Sequence, residues 1–504
     1  MTETTDQTET IAFLENPATH GGAAVERIDT HSAIVFLAGA RAWKLKRALK
    51  FPFLDFSTLA RRAECCRREI ELNKRTAPTL YRKAVPVTRT ADGGLALDGA
   101  GTPVDWLVSM NRFEQSGLFD RMAAAGSLTP DLMTALADTI AAFHRDAEVT
   151  PDKGGAEAMR WVIDDNIEEL RAFDDLFDAA ALDTLDAGSH ALLDANAPRL
   201  DARRADGRVR HCHGDLHLQN ICLVEGRPTL FDCIEFNDDI ACVDVVYDLA
   251  FLLMDLAHRG RRDLANLVLN RYLARTGDWG GLAILELFLS CRAAVKAKVS
   301  AISGRSDPSR IPEAKNFLAQ AVGYLERPAP RLVTVGGAPG TGKSTLAQRI
   351  APEIGGGCGA ILLRTDVLRK QMLGADILKR LPEDAYDRET TARTYDRVLD
   401  EAEALLRAGI SVIADATFTD ARFRQRIEDL ARQEGVPFAG IWLQAPQALR
   451  EERIEGRTND PSDATVGLIR RFTQEPAAPE GWLRLDSSQP LDRMASNTLR
   501  EILT

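Results

Sequence analysis

Residues 337–345 read Gly-Ala-Pro-Gly-Thr-Gly-Lys-Ser-Thr, and no other stretch restricts the fold so tightly. From Gly337 the spacing is G-x-x-x-x-G-K-S. Gly337, Gly340 and Gly342 let the backbone curl so that successive N–H groups point inward, where side chains would block the approach of an anion. Ala338, Pro339, Thr341 and Thr345 complete the loop. Lys343 adds a mobile positive charge, and Ser344 a hydroxyl within reach of a divalent cation. The flanks agree. Arg331–Val335 is a short, β-branched apolar run with the pattern of a buried strand. Ser344–Ile350 has the spacing of a helix whose amino terminus faces the anion. Strand, phosphate-cradling loop and helix follow in that order.

At 504 residues the chain is too long for one ordinary domain. Its net charge of −11 argues against a long nucleic-acid track and leaves room only for a small basic groove. None of the eight cysteines forms a C-x-x-C pair or a zinc spacing, so they read as small buried residues in a reducing compartment. The polar, acidic start is unlike a signal peptide, and residues 1–10 read as a disordered tail. The longest apolar run, Leu249–Met254, is far too short to span a bilayer. These features describe a cytoplasmic protein with no membrane partner; they set no oligomeric state.

Ahead of the loop, Val25–Ile28, Ala33–Leu37 and Ala42–Lys46 read as antiparallel strands, Ser57–Lys74 as a helix and Val104–Met110 as a further strand. Leu118 to about Ala181 turns helical. The next informative stretch runs from His211 to Leu223, followed by Thr229–Phe236. Two short apolar runs flank Glu225-Gly226-Arg227-Pro228, a hairpin signal. Asp215 and Asn220 precede the hairpin and Asp232 ends it, so two carboxylates and an amide converge. Phosphoryl transfer needs that set: one carboxylate to accept the proton of an attacking hydroxyl, an amide and a second carboxylate to hold Mg²⁺.

His213-Gly214-Asp215 with Asn220 five residues on resembles the catalytic loop of the aminoglycoside phosphotransferase and choline kinase branch of the kinases. Asp232-Cys233-Ile234-Glu235 is similar to the branch's second motif, and Asp244 and Asp248 resemble its downstream structural aspartate. The resemblance spans about residues 20–325. It implies a strand lysine on the nucleotide phosphates and a helix glutamate paired with it. Lys44 and Glu69 fit, although Lys46 shares a strand face with Lys44 and Glu64 competes with Glu69. The G-x-G-x-x-G of protein kinases is absent, and the turn Thr30-His31-Ser32 stands where it would be. His144 reads as a surface or packing residue of its helix.

The pair of prolines in Glu326–Arg331 marks a domain boundary. Beyond it, Ala360–Asp366, Ile410–Asp415, Phe438–Leu443 and Trp482–Leu485 read as strands alternating with helices such as Tyr386–Ala408. That order predicts a parallel sheet with active groups at the carboxyl ends of its strands. This half resembles the P-loop kinases grouped with gluconate kinase, chloramphenicol phosphotransferase and the kinase domain of polynucleotide kinase. The resemblance implies Asp366 as general base, Arg369 as a substrate clamp, Asp415 as a Mg²⁺ carboxylate, and Arg453 and Arg457 as lid arginines on one helical face.

The expectation is therefore an α+β, protein-kinase-like domain over residues 1–327 fused to an α/β P-loop domain with a parallel sheet over 328–504. This order resembles bacterial bifunctional aminoglycoside phosphotransferase/ATP-binding proteins. It implies ATP and Mg²⁺ as cofactors and a small-molecule hydroxyl as substrate. The alternatives are a regulatory protein in which one domain only senses ATP, and a kinase of a nucleic-acid 5′-hydroxyl.

Overall fold

The structure, a computed structural model, describes residues 6–51, 53–173, 175–456, 460–467 and 477–503. The chain forms two compact units, residues 1–158 with 199–252, and residues 159–198 with 253–504.

The first unit is built on an antiparallel sheet of β1 (Val25–Asp29), β2 (Ala33–Ala38), β3 (Arg41–Lys46), β6 (Tyr81–Arg89), β7 (Leu95–Leu97) and β8 (Thr102–Asn111), in the order β1-β2-β3-β8-β6-β7. A small hairpin, β4 (Lys50–Phe51) with β5 (Leu54–Asp55), follows β3. Alternation along the strands gives the sheet two apolar faces. Leu37, Ala42, Val108 and Met110 meet Cys66 and Ile70 of the helix Leu59–Asn73. Ile34, Phe36, Leu45 and Leu107 meet Leu14.

That second face corrects the expected tail. A helix begins at Thr8, and the buried side chain of Gln7 donates to Lys46 O (3.0 Å) and Asp105 Oδ2 (2.7 Å). An apolar sheet face left open to water would be costly, and this amphipathic segment covers it. β6 was not expected from sequence. It carries three basic residues and Pro86, features that weaken a strand pattern, yet it pairs along nearly its whole length with β8.

After the sheet come β9 (Val209–His211), the hairpin β10 (Ile221–Val224) with β11 (Arg227–Leu230), and β12 (Cys242–Asp244), which pairs antiparallel with β9. Glu225 and Gly226 both have positive φ, the turn that suits a two-residue hairpin. Asp244 is gripped by Arg203 through Nε (2.7 Å) and Nη2 (2.8 Å), and its Oδ1 accepts the N–H of Val246 at the head of the helix Val245–His258.

The second unit holds a five-stranded parallel sheet: β13 (Leu332–Gly337), β14 (Ile361–Arg364), β15 (Val412–Asp415), β16 (Phe438–Gln444) and β17 (Leu483–Asp486), in the order β14-β15-β13-β16-β17. Val333, Val335, Ile413, Ile441 and Leu443 pack with Leu346 and Ile350 of the helix Lys343–Ile350 and with Met494 and Ile502 of the helix Leu491–Leu503. The helices of residues 253–325, read from sequence as the end of the first domain, belong to this unit. One of them, Arg262–Thr276, closes the free edge of β14. Asn266 Nδ2 donates to Cys358 O (2.9 Å) and Ala360 O (3.0 Å), and the Leu362 N–H donates to Asn270 Oδ1 (2.7 Å). Side-chain amides thus take the bonds that a sixth strand would have made. No described helix is long and apolar enough to cross a membrane.

Removing one of these amides leaves buried carbonyls without a donor, a loss of about 1–3 kcal/mol. Asn266→Ala is expected to lower the urea midpoint of the second unit while leaving that of the first unchanged, read by fluorescence and circular dichroism.

Candidate active sites

In the first unit β3 presents both lysines to the helix Leu59–Asn73. Lys44 Nζ donates to Glu69 Oε1 (3.0 Å) and to Asp232 Oδ1. Lys46 Nζ donates to Glu69 Oε2 (2.5 Å) and to Glu235 Oε1. Glu69 therefore serves both lysines, while Glu64 pairs with Arg67 at the surface. Lys46 is sealed at 2% side-chain exposure, whereas Lys44 keeps 13% and shares its ammonium with Asp232, itself 37% exposed. The lysine that faces open space is Lys44. Burial works against its charge, but Asp232 and Glu69 outweigh burial and raise its pKa above the ordinary lysine value. Burial likewise pushes the Glu69 carboxyl up, and the two ammonium groups overcome that and hold it below the usual range.

Asp215 sits on the loop that leaves β9. Asp248 shapes this loop by accepting the N–H groups of His213 (3.1 Å) and Gly214 (2.8 Å), with His144 Nε2 at 3.1 Å. His144 is thus a buried partner of the loop's anchor. Gly214 has φ +82°, and a Cβ there would lie 3.2 Å from Ala241 Cα. Asn220 Nδ2 donates to both O (2.9 Å) and Oδ2 (2.8 Å) of Asp215, which fixes the carboxylate. The Phe231 N–H donates to Asn220 O (3.0 Å), so Asp232 follows directly beside the loop. Asp232 has φ +64°, its N–H donates to the Tyr81 hydroxyl (3.0 Å), and the next N–H donates to Asn73 Oδ1 (2.8 Å). Asp215, Asn220 and Asp232 are brought together, and Lys44 and Glu69 join them through Asp232. Asn220 Oδ1 and the Asp232 carboxylate are oxygen donors that suit a hard cation. The turn at Thr30–Ser32 is closed by Arg47, whose N–H donates to Ser32 O (2.9 Å) and whose Nε donates to Thr30 O (3.1 Å).

In the second unit the loop between β13 and its helix needs its glycines. A Cβ on Gly337 would lie 2.4 Å from Leu443 O, and one on Gly340 would lie 2.8 Å from Arg450 O. Gly342 caps the helix in the left-handed region. Ala338, Pro339, Thr341 and Thr345 lie in or beside this turn. Lys343 Nζ donates to Ala338 O (3.0 Å) across the curl, and Ser344 Oγ donates to Asp415 Oδ2 (2.5 Å) at the end of β15. Arg364, ending β14, has Nε 3.4 Å from Asp415 Oδ2 and Nη2 3.1 Å from Asp460 Oδ1. Asp366 lies in the first turn of the helix Thr365–Met372. Burial raises its pKa, Arg364 opposes the rise and Asp415 adds to it. The cradle, the lysine and the hydroxyl–carboxylate pair fit a nucleotide phosphate with its cation.

Two arginines are occupied. Arg369 Nη1 donates to Ala385 O (2.8 Å), and its guanidinium lies 4.6 Å from the ring centre of Tyr386. Arg453, on the helix Gln447–Glu455, donates to Thr341 O (3.2 Å), Ser487 Oγ (2.9 Å) and Ser487 O (2.6 Å), so it braces the phosphate loop. Arg457 lies outside the described residues. Sequence reasoning missed Asn73, Tyr81 and Arg364, and it gave Glu235 no role. Asn73 stands one helical turn after Glu69, and Arg364 stands at the carboxyl end of a strand; both positions were available as signals.

Residues 38–285 match the family model of the phosphotransferase enzyme family, and residues 332–479 match that of an AAA domain. An uncharacterized protein of Mycobacterium tuberculosis (strain H37Rv) is 30% identical over 476 residues, covering 92% of this chain and 93% of its own. This chain belongs to that family of fused phosphotransferase and AAA domains. An uncharacterized protein of Mycobacterium bovis is similar to the same extent. Among solved structures, a choline/ethanolamine kinase family protein from Mesorhizobium loti is 15% identical, covers 63% of this chain and 98% of its own, and has a TM-score of 0.39. A sugar kinase from Janibacter is 20% identical, covers 35% of this chain and 96% of its own, and has a TM-score of 0.28. Neither comparison bears on the substrate of the fused family.

Glu69 pairs with two buried cations, so Glu69→Gln takes one of the two carboxylate partners from each, a cost of about 3 kcal/mol. The first melting transition is expected to fall by about 10 °C. Because the folded pKa of Glu69 is depressed, its contribution is complete above the ordinary glutamate range and disappears as the pH drops below it. The melting gap between wild type and variant is therefore expected to narrow in acid, as differential scanning calorimetry would show.

Proposed function

We propose that this protein is an ATP- and Mg²⁺-dependent phosphotransferase that moves the γ-phosphate onto a hydroxyl of a small molecule, with one nucleotide site in each unit. In this reading the two kinase-like parts meet in the sequence at residues 327/328, within the gap between the two family matches, while the helices of 253–325 pack in the second compact unit. The observation that supports the reading most strongly is the Lys44 ammonium shared between Glu69 and Asp232, next to a loop in which Asn220 fixes the Asp215 carboxylate. When bound, Mg²⁺ supplies charge neutralisation on the β- and γ-phosphates.

The remaining work belongs to the side chains. In the first unit Lys44 binds and orients the phosphates, Asn220 and Asp232 would hold Mg²⁺, and the Asp215 carboxylate accepts the proton of the attacking hydroxyl. In the second unit the N–H groups of the loop and Lys343 bind phosphate. Ser344 and Asp415 would hold the cation, and Asp366 accepts the acceptor's proton. Arg453 reaches a transferring phosphate only by leaving the Thr341 carbonyl, so with Arg457 it acts on closure. The cellular setting in this reading is the cytoplasm, in keeping with eight free cysteines, seven of them buried.

ADP release measured over a panel of hydroxylated small molecules tests the proposal. Asp215→Ala is expected to lower turnover at the first site by about 10²–10⁴-fold, the usual share of a general base. Lys343→Ala silences the second site, so the two variants assign each acceptor to its unit. Absence of acceptor-dependent ADP release with every hydroxyl compound would sink the reading.

The raised pKa of Asp366 gives a pH signature. Only the ionised carboxylate accepts a proton, so the acid limb of kcat/KM for the second site is expected above the ordinary aspartate range. Asp366→Asn is expected to abolish both that limb and the activity. A limb at the ordinary aspartate pKa would remove Asp366 from the role of base.

A further inference from the structure

Two clusters of histidine, cysteine and aspartate bring their ligand atoms within 4.8 Å of one another: His144, Cys212 and Asp248, and His211, Asp238 and Cys242. The first is fully used in shaping the Asp215 loop, since Asp248 takes two backbone N–H groups and faces the His144 ring. The second is not used up. His211 and Cys242 stand directly opposite each other in the β9–β12 ladder, so their side chains share one face. Asp238 opens the short helix that leads into β12. It gives Oδ1 to Arg68 (2.5 Å) and leaves Oδ2 without a partner among the described residues.

One buried polar atom at this place, Nε2 of His211, has no hydrogen-bond partner among the described residues. The Thr150 hydroxyl meets the Cys242 thiol. Thr150 belongs to a segment that flanks β9 on its other side, with the Thr150 N–H donating to Val209 O (3.0 Å) and the His211 N–H donating to Glu148 O (2.8 Å). Buried polar atoms nearly always find partners. An orphaned imidazole nitrogen within reach of a thiol and a carboxylate marks a place where something other than protein completes the polar contacts.

We propose that His211, Asp238 and Cys242 bind one transition-metal dication of the Zn²⁺ class. An imidazole, a carboxylate and a thiolate form a borderline-soft donor set of the kind Zn²⁺ takes, while Mg²⁺ and Ca²⁺ require oxygen ligands. Three protein ligands leave a fourth position for water, within the surroundings of the Thr150 hydroxyl. On binding, the Cys242 thiol releases its proton to solvent and the sulfur–metal bond forms. Arg68 stays on the second oxygen of Asp238 as an outer partner that orients it. The ligands come from facing strands and a short helix, which is why the chain shows no zinc spacing. Because β9 runs from His211 straight into His213–Asp215, the ion would pin the stem of the loop that carries Asp215.

The test uses the full chain, stripped with a chelator and titrated with Co²⁺ in excess Mg²⁺, which occupies the oxygen-lined phosphate sites. One Co²⁺ per chain is expected to give a thiolate-to-cobalt charge-transfer band and the visible bands of a four-coordinate ion, both bleached by one equivalent of Zn²⁺. Cys242→Ser is expected to abolish the charge-transfer band. His211→Gln is expected to weaken binding by more than about 100-fold, beyond the loss typical of an outer partner. Cys65→Ser is expected to leave the spectrum unchanged. Circular dichroism accompanies each variant, and Asp238→Asn, at a half-exposed position, gives the same affinity readout if a β12 variant does not fold. Absence of the band in the wild type, or its persistence in both His211→Gln and Asp238→Asn, would overturn the proposal.

Discussion

The first unit depends on keeping two lysines charged where water scarcely reaches. Lys44 and Lys46 project from one face of β3, and the cost of dehydrating both is offset only because Glu69, Asp232 and Glu235 converge on them. Glu69 is the hinge of this arrangement, with one oxygen for each lysine. The network also fixes geometry. It ties the sheet to the helix Leu59–Asn73 and ties both to the loop after β11, elements far apart in sequence. Asn73, on the same helix, holds the backbone at Cys233, so a single helical face registers both the charge partner and the loop it serves.

The second unit solves a similar problem with backbone. Its phosphate loop relies on N–H groups, a lysine that donates to a carbonyl of its own loop, and glycines packed so closely against Leu443 and Arg450 that no side chain fits. Carboxylates enter one layer away, at the ends of β15 and β14, where Asp415 takes the Ser344 hydroxyl and Arg364 links Asp415 to Asp460. The two units thus prepare for phosphate in opposite ways, one by paired side-chain charges and the other by a preformed curl of amides.

Much of this was legible in the chain because the decisive features are local. The glycine spacing at 337–342, the alternation that puts Lys44 and Lys46 on one face, and the hairpin after Asn220 all follow from short-range rules. What was illegible depended on partners distant in sequence. The choice between Glu64 and Glu69 turns on which face of a helix meets the sheet. The ordering of residues 7–15 follows from a bare apolar face that single strands do not reveal. β6 hides behind Pro86 and three basic residues, because its pairing with β8 overrides its own weak propensity. Arg453 read as a free lid residue because nothing nearby announces its hold on Ser487.

The asparagines along the helix Arg262–Thr276 carry a practical consequence. They are grafted onto the outer rim of β14, and they lie well upstream of the prolines that look like a natural place to cut. A P-loop half severed at those prolines would bare a row of amides and carbonyls, the template on which one copy's strand adds to the next. A fragment that keeps this edge covered carries the 253–325 helices along with the nucleotide loop.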